Sequence, residues 1–207
     1  MSHDDAQDFW SAKYSAAGEA YLFGTAPNRF LQSQSALLVP GQRALSIADG
    51  EGRNAVWLAE RGLDVTATEL SPVALDKAAT LAAARGVSVD FALADALSWT
   101  YPDEAFDLVV GIFIQFAAPD ERRALFDSMK RTLRPGGHIV LQGYTPKQLD
   151  YGTGGPSAVE NLYTAALLRE AFGDFELGCL QEYESVLDEG LAHRGHSALI
   201  GMVAKKV

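Results

Sequence analysis

The chain has 207 residues, enough for a full-sized core, and we predict a single domain over 1–207. Its 17 basic and 27 acidic residues give a formal net charge of −10, which disfavours nucleic acid as a partner. The N-terminus is acidic and polar, and no apolar run approaches about 18 residues, so we expect no secretory signal and no membrane span. With Cys179 as the one cysteine, no internal disulfide can form, and we predict a cytoplasmic protein.

Short apolar runs alternate with helical patterns along most of the chain. Residues 1–40 are rich in aromatic side chains and predict a mostly helical N-terminal segment, which would lid the core or pack on its edge. Strands are predicted, in chain order, at 44–48, 64–69, 87–93, 106–113 and 138–142. Helices are predicted to begin near residues 52, 71 and 119. The alternation indicates an α/β fold in which helices cover both faces of a parallel sheet.

The last part of the chain, residues 146–207, follows a different pattern. A glycine-rich stretch precedes a helix near 164–172, and two extended segments follow at 174–187 and 197–205. These segments predict a closing hairpin joined by a short connection that contains His193 and His196. Cys179 alternates into the first of the two strands, where we expect it to be core.

The sequence ALSIADGEGRNA at 44–55 carries the main functional signal. A predicted strand leads into Gly50 and Gly52 and then into a helix, so the glycines allow a sharp turn and close approach of a ligand to the backbone. The spacing from Gly50 through Gly52 to Ala55 also fits a dinucleotide-binding loop. A plain strand-to-helix turn is a further interpretation. Residues 43–145 are therefore predicted to form a cofactor-binding core.

Two carboxylates follow neighbouring predicted strands at the same edge of the sheet. Glu69 ends the second strand, where an acid of a Rossmann fold binds ribose hydroxyls. Asp95 follows the third strand, where it can accept a proton from an adenine amino group. The alternatives are a capping or surface acid for Glu69 and a helix N-cap for Asp95.

Five segments together resemble the class I S-adenosylmethionine-dependent methyltransferases. They are ALSIADGEGRNA at 44–55, VTATELSPVAL at 65–75, FALADA at 91–96, FDLVVGIFIQF at 106–116 and LRPGGHIVLQGY at 133–144. Residues 21–31 and 193–199 are also similar to the tellurite-resistance and thiopurine methyltransferase-like branch. The resemblance implies a Rossmann-like, mostly parallel seven-stranded sheet with an antiparallel last strand, and S-adenosylmethionine as cofactor.

The resemblance also implies which residues line the cofactor, S-adenosylmethionine, whose product is S-adenosylhomocysteine. The implied residues are Ala48, Asp49, Gly50, Gly52, Glu69, Leu70, Asp95, Ala96, Gly111 and Ile112. The loop from Asp49 to Gly52 would line the methionine moiety, and Glu69 would hold the ribose. Leu70, Asp95 and Ala96 would surround the adenine, and Gly111 with Ile112 would close the pocket.

The chain departs from the family at two loop positions. Ser46 stands where the family usually has an acid, and Ala48 stands where it usually has a first glycine. The missing acid commonly helps to fix the methionine amino group. We predict that Asp49 substitutes for it, with its carboxylate facing the ammonium; the alternative is a solvent-facing turn residue.

The acceptor is predicted to be a small molecule that is nucleophilic by itself, such as a thiol or a chalcogen oxyanion. No Asn/Asp-Pro-Pro-Tyr motif of nucleic-acid methylation follows the fourth strand, and we identify no general base. Four polar residues are candidates for acceptor contact, with edge packing as the alternative: Gln115, Tyr144, His193 and His196. His193 and His196 have metal-like spacing but no clear third ligand, so we predict no metal.

Two other functions share part of this pattern. An NAD-dependent oxidoreductase would use the glycine loop and Glu69, but it leaves Asp95 and the closing hairpin unexplained. A non-catalytic protein that binds S-adenosylmethionine would account for Ser46 and Ala48. The sequence leaves the acceptor and the oligomeric state open.

Overall fold

The computed structural model describes residues 3–207, which divide into two compact units. One unit contains the chain up to Trp99 together with Glu189–Ala192. The other contains Thr100–Asp188 and His193–Val207. The prediction of a single domain over 1–207 stays a prediction.

The first unit contains three strands and four helices. Its strands are β1 (Arg43–Ile47), β2 (Asp64–Glu69) and β3 (Asp90–Leu93), and its helices are α1 (His3–Ala16), α2 (Arg29–Ser33), α3 (Arg53–Glu60) and α4 (Pro72–Arg85). Strand β2 pairs in parallel with both β1 and β3. Helix α4 begins as its sequence predicts, because the Ser71 hydroxyl accepts a hydrogen bond from the Ala74 amide at 3.3 Å and Pro72 occupies the first turn.

The N-terminal segment is helical over α1, α2 and a short 3-10 helix at Ser35–Leu37, and turns that contain Gly18 and Gly24, with φ of 59° and 73°, separate α1 from α2. One sequence-based boundary in this unit was wrong. Strand β3 begins at Asp90 instead of residue 87. It is the last strand at its edge of the sheet, so pairing on one side alone keeps it short and half-buried.

The second unit carries four strands and three helices. The strands are β4 (Phe106–Ile112), β5 (Leu133–Tyr144), β6 (Phe175–Glu189, whose last residue belongs to the first unit) and β7 (His193–Lys206). The helices are α5 (Pro119–Thr132), α6 (Gln148–Tyr151) and α7 (Ala165–Ala171). Strand β4 pairs in parallel with β5, whereas β7 pairs antiparallel with β5.

Three sequence-based predictions for this unit were also wrong. Strand β5 begins at Leu133, because Leu133 pairs with Phe106, and Gly136 and Gly137 lie in an irregular part of the strand rather than in a turn before it. The two last strands are longer than predicted, so His193 and His196 lie in β7 instead of the connection. Cys179 is half-buried in β6 rather than in the core, because β6 ends the sheet order.

The seven strands form one sheet in the order β3-β2-β1-β4-β5-β7-β6. This is the predicted Rossmann-like α/β fold with a mostly parallel sheet and an antiparallel last strand. Over residues 3–207, no helix combines the length and apolar character that a membrane crossing requires.

Candidate cofactor-binding site

The loop after β1 is built from residues in the left-handed backbone region. Ala48, Gly50 and Gly52 have φ of 48°, 65° and 90°. Glycine adopts this region freely, whereas an alanine costs about 1–2 kcal/mol there. Ala48 therefore keeps the loop conformation that the family obtains with glycine, at the expense of local strain.

Asp49 is held by the residue that replaces the family's acid. The Ser46 hydroxyl donates to Asp49 Oδ1 at 2.5 Å, and the Ala55 amide donates to Oδ2 at 3.3 Å. Burial raises the pKa of Asp49 to about 7, and the hydrogen bonds from Ser46 and Ala55 oppose that rise. Ser46 and Asp49 thus form one unit, in which the carboxylate lies three residues after the departing position and the serine anchors it.

Glu69 lies beside the same loop, at the end of β2. Its side chain is only 5% exposed, so it is not a surface acid. Its two oxygens accept hydrogen bonds from the Gly50 and Ser71 amides, each at 2.9 Å. Burial raises the pKa of Glu69, and these amides counteract the rise. Because a carboxylate has about four acceptor sites, Glu69 can still accept from ribose hydroxyls.

The third strand brings Asp95 to the same edge. The Ala94 amide donates to the Glu69 carbonyl at 2.9 Å, so the turn that contains Asp95 starts beside Glu69. Asp95 Oδ1 accepts from the Leu97 amide at 2.9 Å and closes this turn; no helix follows it. Ala96 is buried and Leu70 is half-buried. Their adenine contacts stay predictions.

Gly52 is required for packing between helices as much as for the turn. A Cβ at this position would lie 2.8 Å from the Ala78 Cβ and 3.0 Å from its Cα. Ala78 belongs to α4, so the absence of a side chain at Gly52 lets α4 approach the start of α3. This close approach is a structural demand that the motif alone does not show.

Gly111 and Ile112 belong to the second unit, at the end of β4. A Cβ on Gly111 would meet Ile114 Cδ1 at 2.7 Å and Leu141 Cδ1 at 3.1 Å. Gly111 is therefore needed for packing within its own unit. The part of Gly111 and Ile112 in closing the pocket stays a prediction.

The acceptor candidates of the second unit have three different surroundings. The Gln115 side chain joins two backbone segments. Its Nε2 donates to the carbonyls of Tyr144 and Asn161 at 2.9 and 3.1 Å, and its Oε1 accepts from the Tyr144 backbone amide at 2.5 Å. Tyr144 and His193 pack with Phe113, with ring centroids 4.7 and 4.4 Å from the Phe113 ring. His196 is half exposed and bonds Glu184 at 2.9 Å. This geometry favours edge packing for Gln115.

Glu51, between the two glycines, organises the N-terminal segment, and sequence reasoning missed it. Its Oε2 accepts from the Leu22 amide at 2.6 Å, and its Oε1 accepts from Lys77 Nζ at 2.9 Å. Lys77 also donates to the Ala20 carbonyl at 2.8 Å. The available signal was an acidic residue between the two glycines of the loop, a position that is buried in the structure.

A second buried cluster attaches residues near Asn28 to the start of α3. Arg53 pairs with Glu189 at 2.7 Å, and both side chains are nearly fully buried. Asn28 donates through Nδ2 to Glu189 at 3.2 Å, and its amide donates to Asn54 at 2.9 Å. These contacts give a structural reason for the pattern at 21–31.

The described residues fit the chemistry of S-adenosylmethionine. Asp49 offers an anion for an ammonium group, and Glu69 offers acceptor sites for vicinal hydroxyls. The positive-φ loop allows a ligand to approach the backbone. Over residues 3–207, no cluster of three or more histidine, cysteine or acidic side chains is placed to hold a metal.

The fold and the acid-lined glycine loop define the class, a Rossmann-like methyltransferase fold. Residues 44–137 match the family model described as a methyltransferase domain. Residues 44–137 therefore match a methyltransferase domain, as the resemblance in the sequence predicts.

Known relatives agree with this assignment. A demethylmenaquinone methyltransferase of Thermus thermophilus is 38% identical over 107 residues, which are 51% of this chain and 48% of the relative. The chain spans about half the length, or less, of the curated relatives it matches, between 38% and 50%.

Solved structures show the same fold over nearly the whole chain. A protein from a study of the conversion of a disulfide bond into a thioacetal group in echinomycin biosynthesis superposes with a TM-score of 0.76 at 23% identity, covering 97% of this chain and 92% of its own. TehB from Haemophilus influenzae gives a TM-score of 0.72 at 20% identity, covering 97% of this chain and 67% of its own. At these identities the likeness establishes the fold.

Proposed function

We propose that this protein transfers a methyl group from S-adenosylmethionine to a small-molecule acceptor. The observation that carries the proposal is the pair of carboxylates beside Gly50, of which Glu69 is buried and Asp49 half-buried. Glu69 accepts from the Gly50 amide, and Asp49 is fixed by Ser46. Acids in these places match the hydroxyls and the ammonium of one ligand.

The protein's part in the reaction is to bind, orient and exclude water. When bound, the sulfonium of the cofactor supplies an already activated methyl group. Asp49 and Glu69 would fix the two ends of the ligand, so that the methyl carbon has a defined position. Cofactor contacts by Ala48, Gly50, Gly52, Leu70, Asp95 and Ala96 belong to the same proposal.

For the acceptor, we propose a thiol or a chalcogen oxyanion. The structural likeness to TehB and the sulfur chemistry named for the other neighbour support this class. The relative named demethylmenaquinone methyltransferase makes a quinol the second candidate. The net charge of −10 supports a partner other than nucleic acid. We also propose a cytoplasmic protein of the tellurite-resistance and thiopurine methyltransferase-like branch.

Radiolabelled methyl transfer tests the proposal directly. The purified protein is incubated with labelled S-adenosylmethionine and a panel of thiols, selenite, tellurite and demethylmenaquinol, with the Glu69→Gln variant as control. We expect transfer to at least one acceptor by the wild type and reduced transfer by Glu69→Gln. Cofactor binding without transfer to any member would favour the non-catalytic alternative. Thermal stabilisation by NAD but not by S-adenosylhomocysteine would favour an oxidoreductase.

A further inference from the structure

Tyr14, near the end of α1, covers the first glycine of the loop. Its side chain is only 4% exposed. A Cβ built on Gly50 would lie 2.9 Å from the Tyr14 hydroxyl. The N-terminal helix therefore brings a hydroxyl group against the loop that the proposed function assigns to the methionine end of the cofactor.

Several contacts hold α1 in this position. Lys77 Nζ donates to the Tyr14 carbonyl at 3.0 Å and to Glu51 at 2.9 Å, so one ammonium joins the end of α1 to the loop. Ser11 and Ser71 share a hydrogen bond of 2.9 Å between their hydroxyls. The Phe23 ring meets the Tyr14 ring edge-on at 6.2 Å. The hydrogen bond to its carbonyl and the contact with the Phe23 ring thus hold Tyr14 in place.

The surroundings keep the Tyr14 hydroxyl protonated. Burial raises its pKa well above the ordinary value, and the charges of Glu69, Glu51 and Asp49 raise it further, while Arg53 acts weakly in the opposite direction. A protonated tyrosine is a hydrogen-bond donor. The site therefore contains a neutral donor among three carboxylates.

Four backbone amides of the loop are already engaged. The amides of Ala48 and Asp49 donate to Thr68 at 3.4 and 3.0 Å. Those of Gly50 and Ala55 donate to Glu69 and Asp49 at 2.9 and 3.3 Å. A ligand carboxylate would have to displace these acceptors to reach the four amides and would also be repelled by the acids, which favours a donor from outside the loop.

We propose that the Tyr14 hydroxyl binds the carboxylate at the amino-acid end of S-adenosylmethionine, while Asp49 faces the ammonium of the same end. This assignment rests on the proposed function. It makes α1 part of the cofactor site and makes Tyr14 a residue that selects ligands with an intact amino-acid end. The Tyr14 hydroxyl thus recognises the carboxylate of the zwitterionic amino-acid end, and Asp49 recognises its ammonium.

The test compares Tyr14→Phe with Tyr21→Phe by calorimetry. Tyr21 is a matched control, because its hydroxyl donates to the Lys77 carbonyl at 3.1 Å and not to the loop. The ligands are S-adenosylhomocysteine and methylthioadenosine, which lacks the amino-acid end. We expect Tyr14→Phe to weaken S-adenosylhomocysteine binding roughly 10- to 100-fold and to leave methylthioadenosine within about twofold. Tyr21→Phe should leave both affinities near those of the wild type.

Three results would overturn the assignment. Unchanged affinity of Tyr14→Phe for S-adenosylhomocysteine contradicts it alone, while the proposed function stands. Equal losses for both ligands would show general damage to the pocket and not a lost contact with the carboxylate. No binding of S-adenosylhomocysteine by the wild type contradicts the proposed function and this assignment together.

Discussion

The ion pair beside the glycine loop and an ion pair of the second unit differ strongly in their exposure to solvent. Around the glycine loop, Arg53 and Glu189 are 7% and 5% exposed. In the second unit, the pair Arg194 and Asp188 is 68% exposed on both sides. Removing charges from water is costly, and surface pairs contribute little. Charges that remain buried despite this desolvation cost indicate a backbone whose position must be fixed. Here they lie beside the candidate cofactor loop.

The same contrast appears in how the carboxylates are satisfied. Glu184 in the second unit lies at the surface, where Lys147, Tyr151 and His196 bond it and lower its pKa to about 2. Asp49 in the first unit has its pKa raised by burial. Glu184 is stabilised in its charged form by its neighbours, whereas at Asp49 the effect of burial on the pKa outweighs the hydrogen bonds from Ser46 and Ala55. An acid in that condition is suited to bind a cation.

The largest effect is expected at Glu189. Glu189→Ala leaves the Arg53 charge buried and uncompensated, and it removes the acceptor of Asn28. We expect a loss of about 3–5 kcal/mol in the free energy of unfolding, measured with urea. The neighbouring Asp188→Ala breaks only the exposed pair with Arg194 and should cost about 0–1 kcal/mol. Similar losses for the two variants would contradict the comparison between units.

Gly52 comes next. Gly52→Ala adds backbone strain at φ 90° and a clash with Ala78, so we expect a loss of about 2–4 kcal/mol in stability. Gly86→Ala is the control, since Gly86 also has positive φ but nothing lies within 4 Å of its added Cβ. It should cost only about 1 kcal/mol. Equal losses in denaturant unfolding would show that packing against α4 is unimportant. Gly52→Val, which is larger, should also lose cofactor binding.

Variants of Asp49 and Ser46 distinguish the loss of the proposed ionic contact from the loss of the hydrogen bond that supports it. Asp49→Ala should weaken S-adenosylhomocysteine binding by about 1.5–3 kcal/mol, because a charge-assisted bond to the ammonium is lost. Ser46→Ala removes only the hydrogen bond that anchors Asp49 and should cost less. Calorimetry with methylthioadenosine provides the control, since that ligand lacks the ammonium. Small and equal losses for both ligands would leave Asp49 as an ordinary turn residue.

The raised pKa of Asp49, about 7, predicts a pH dependence of binding. The ionised carboxylate is needed for the ammonium, so affinity for S-adenosylhomocysteine should fall about tenfold between pH 8 and pH 6. Asp49→Asn should bind weakly with no such dependence. The stability of the free protein should change in the opposite direction. Because the folded pKa is above the unfolded value of about 3.9, the contribution of Asp49 to stability decreases as pH rises from about 4 to 7.

Wild-type affinity that is constant from pH 8 to pH 6 would contradict the ionised Asp49 contact. Urea unfolding of wild type and Asp49→Asn between about pH 4 and pH 7 checks the second part. A stability difference between them that does not depend on pH would show that burial does not raise the pKa of Asp49.

The sequence was sufficient for the features that depend on local pattern. Gly50, Glu69 and Asp95 follow short strands, and carboxyl ends of parallel strands meet at one edge, so their proximity could be predicted. The start of α4 at Ser71 followed from capping chemistry.

Features that depend on contacts between residues far apart in the sequence could not be predicted from the local sequence pattern. Asn28 and Glu189 are 161 positions apart, and nothing local indicates that they bond. Tyr14 reaches Gly50 only because α1 packs against α4. The start of β5 was missed because Gly136 and Gly137 read as a turn, whereas strand pairing extends back to Leu133.

The central claim is that the acid-lined loop binds S-adenosylmethionine, and calorimetry on Glu69→Gln tests it most directly. Glutamine can retain one of the two backbone hydrogen bonds, so the fold should survive, which the melting temperature checks. We predict that the wild type binds S-adenosylhomocysteine and not NAD, and that Glu69→Gln loses at least about 1.5 kcal/mol of that affinity. A folded Glu69→Gln variant with wild-type affinity, or a wild type that binds NAD and not S-adenosylhomocysteine, would contradict the account.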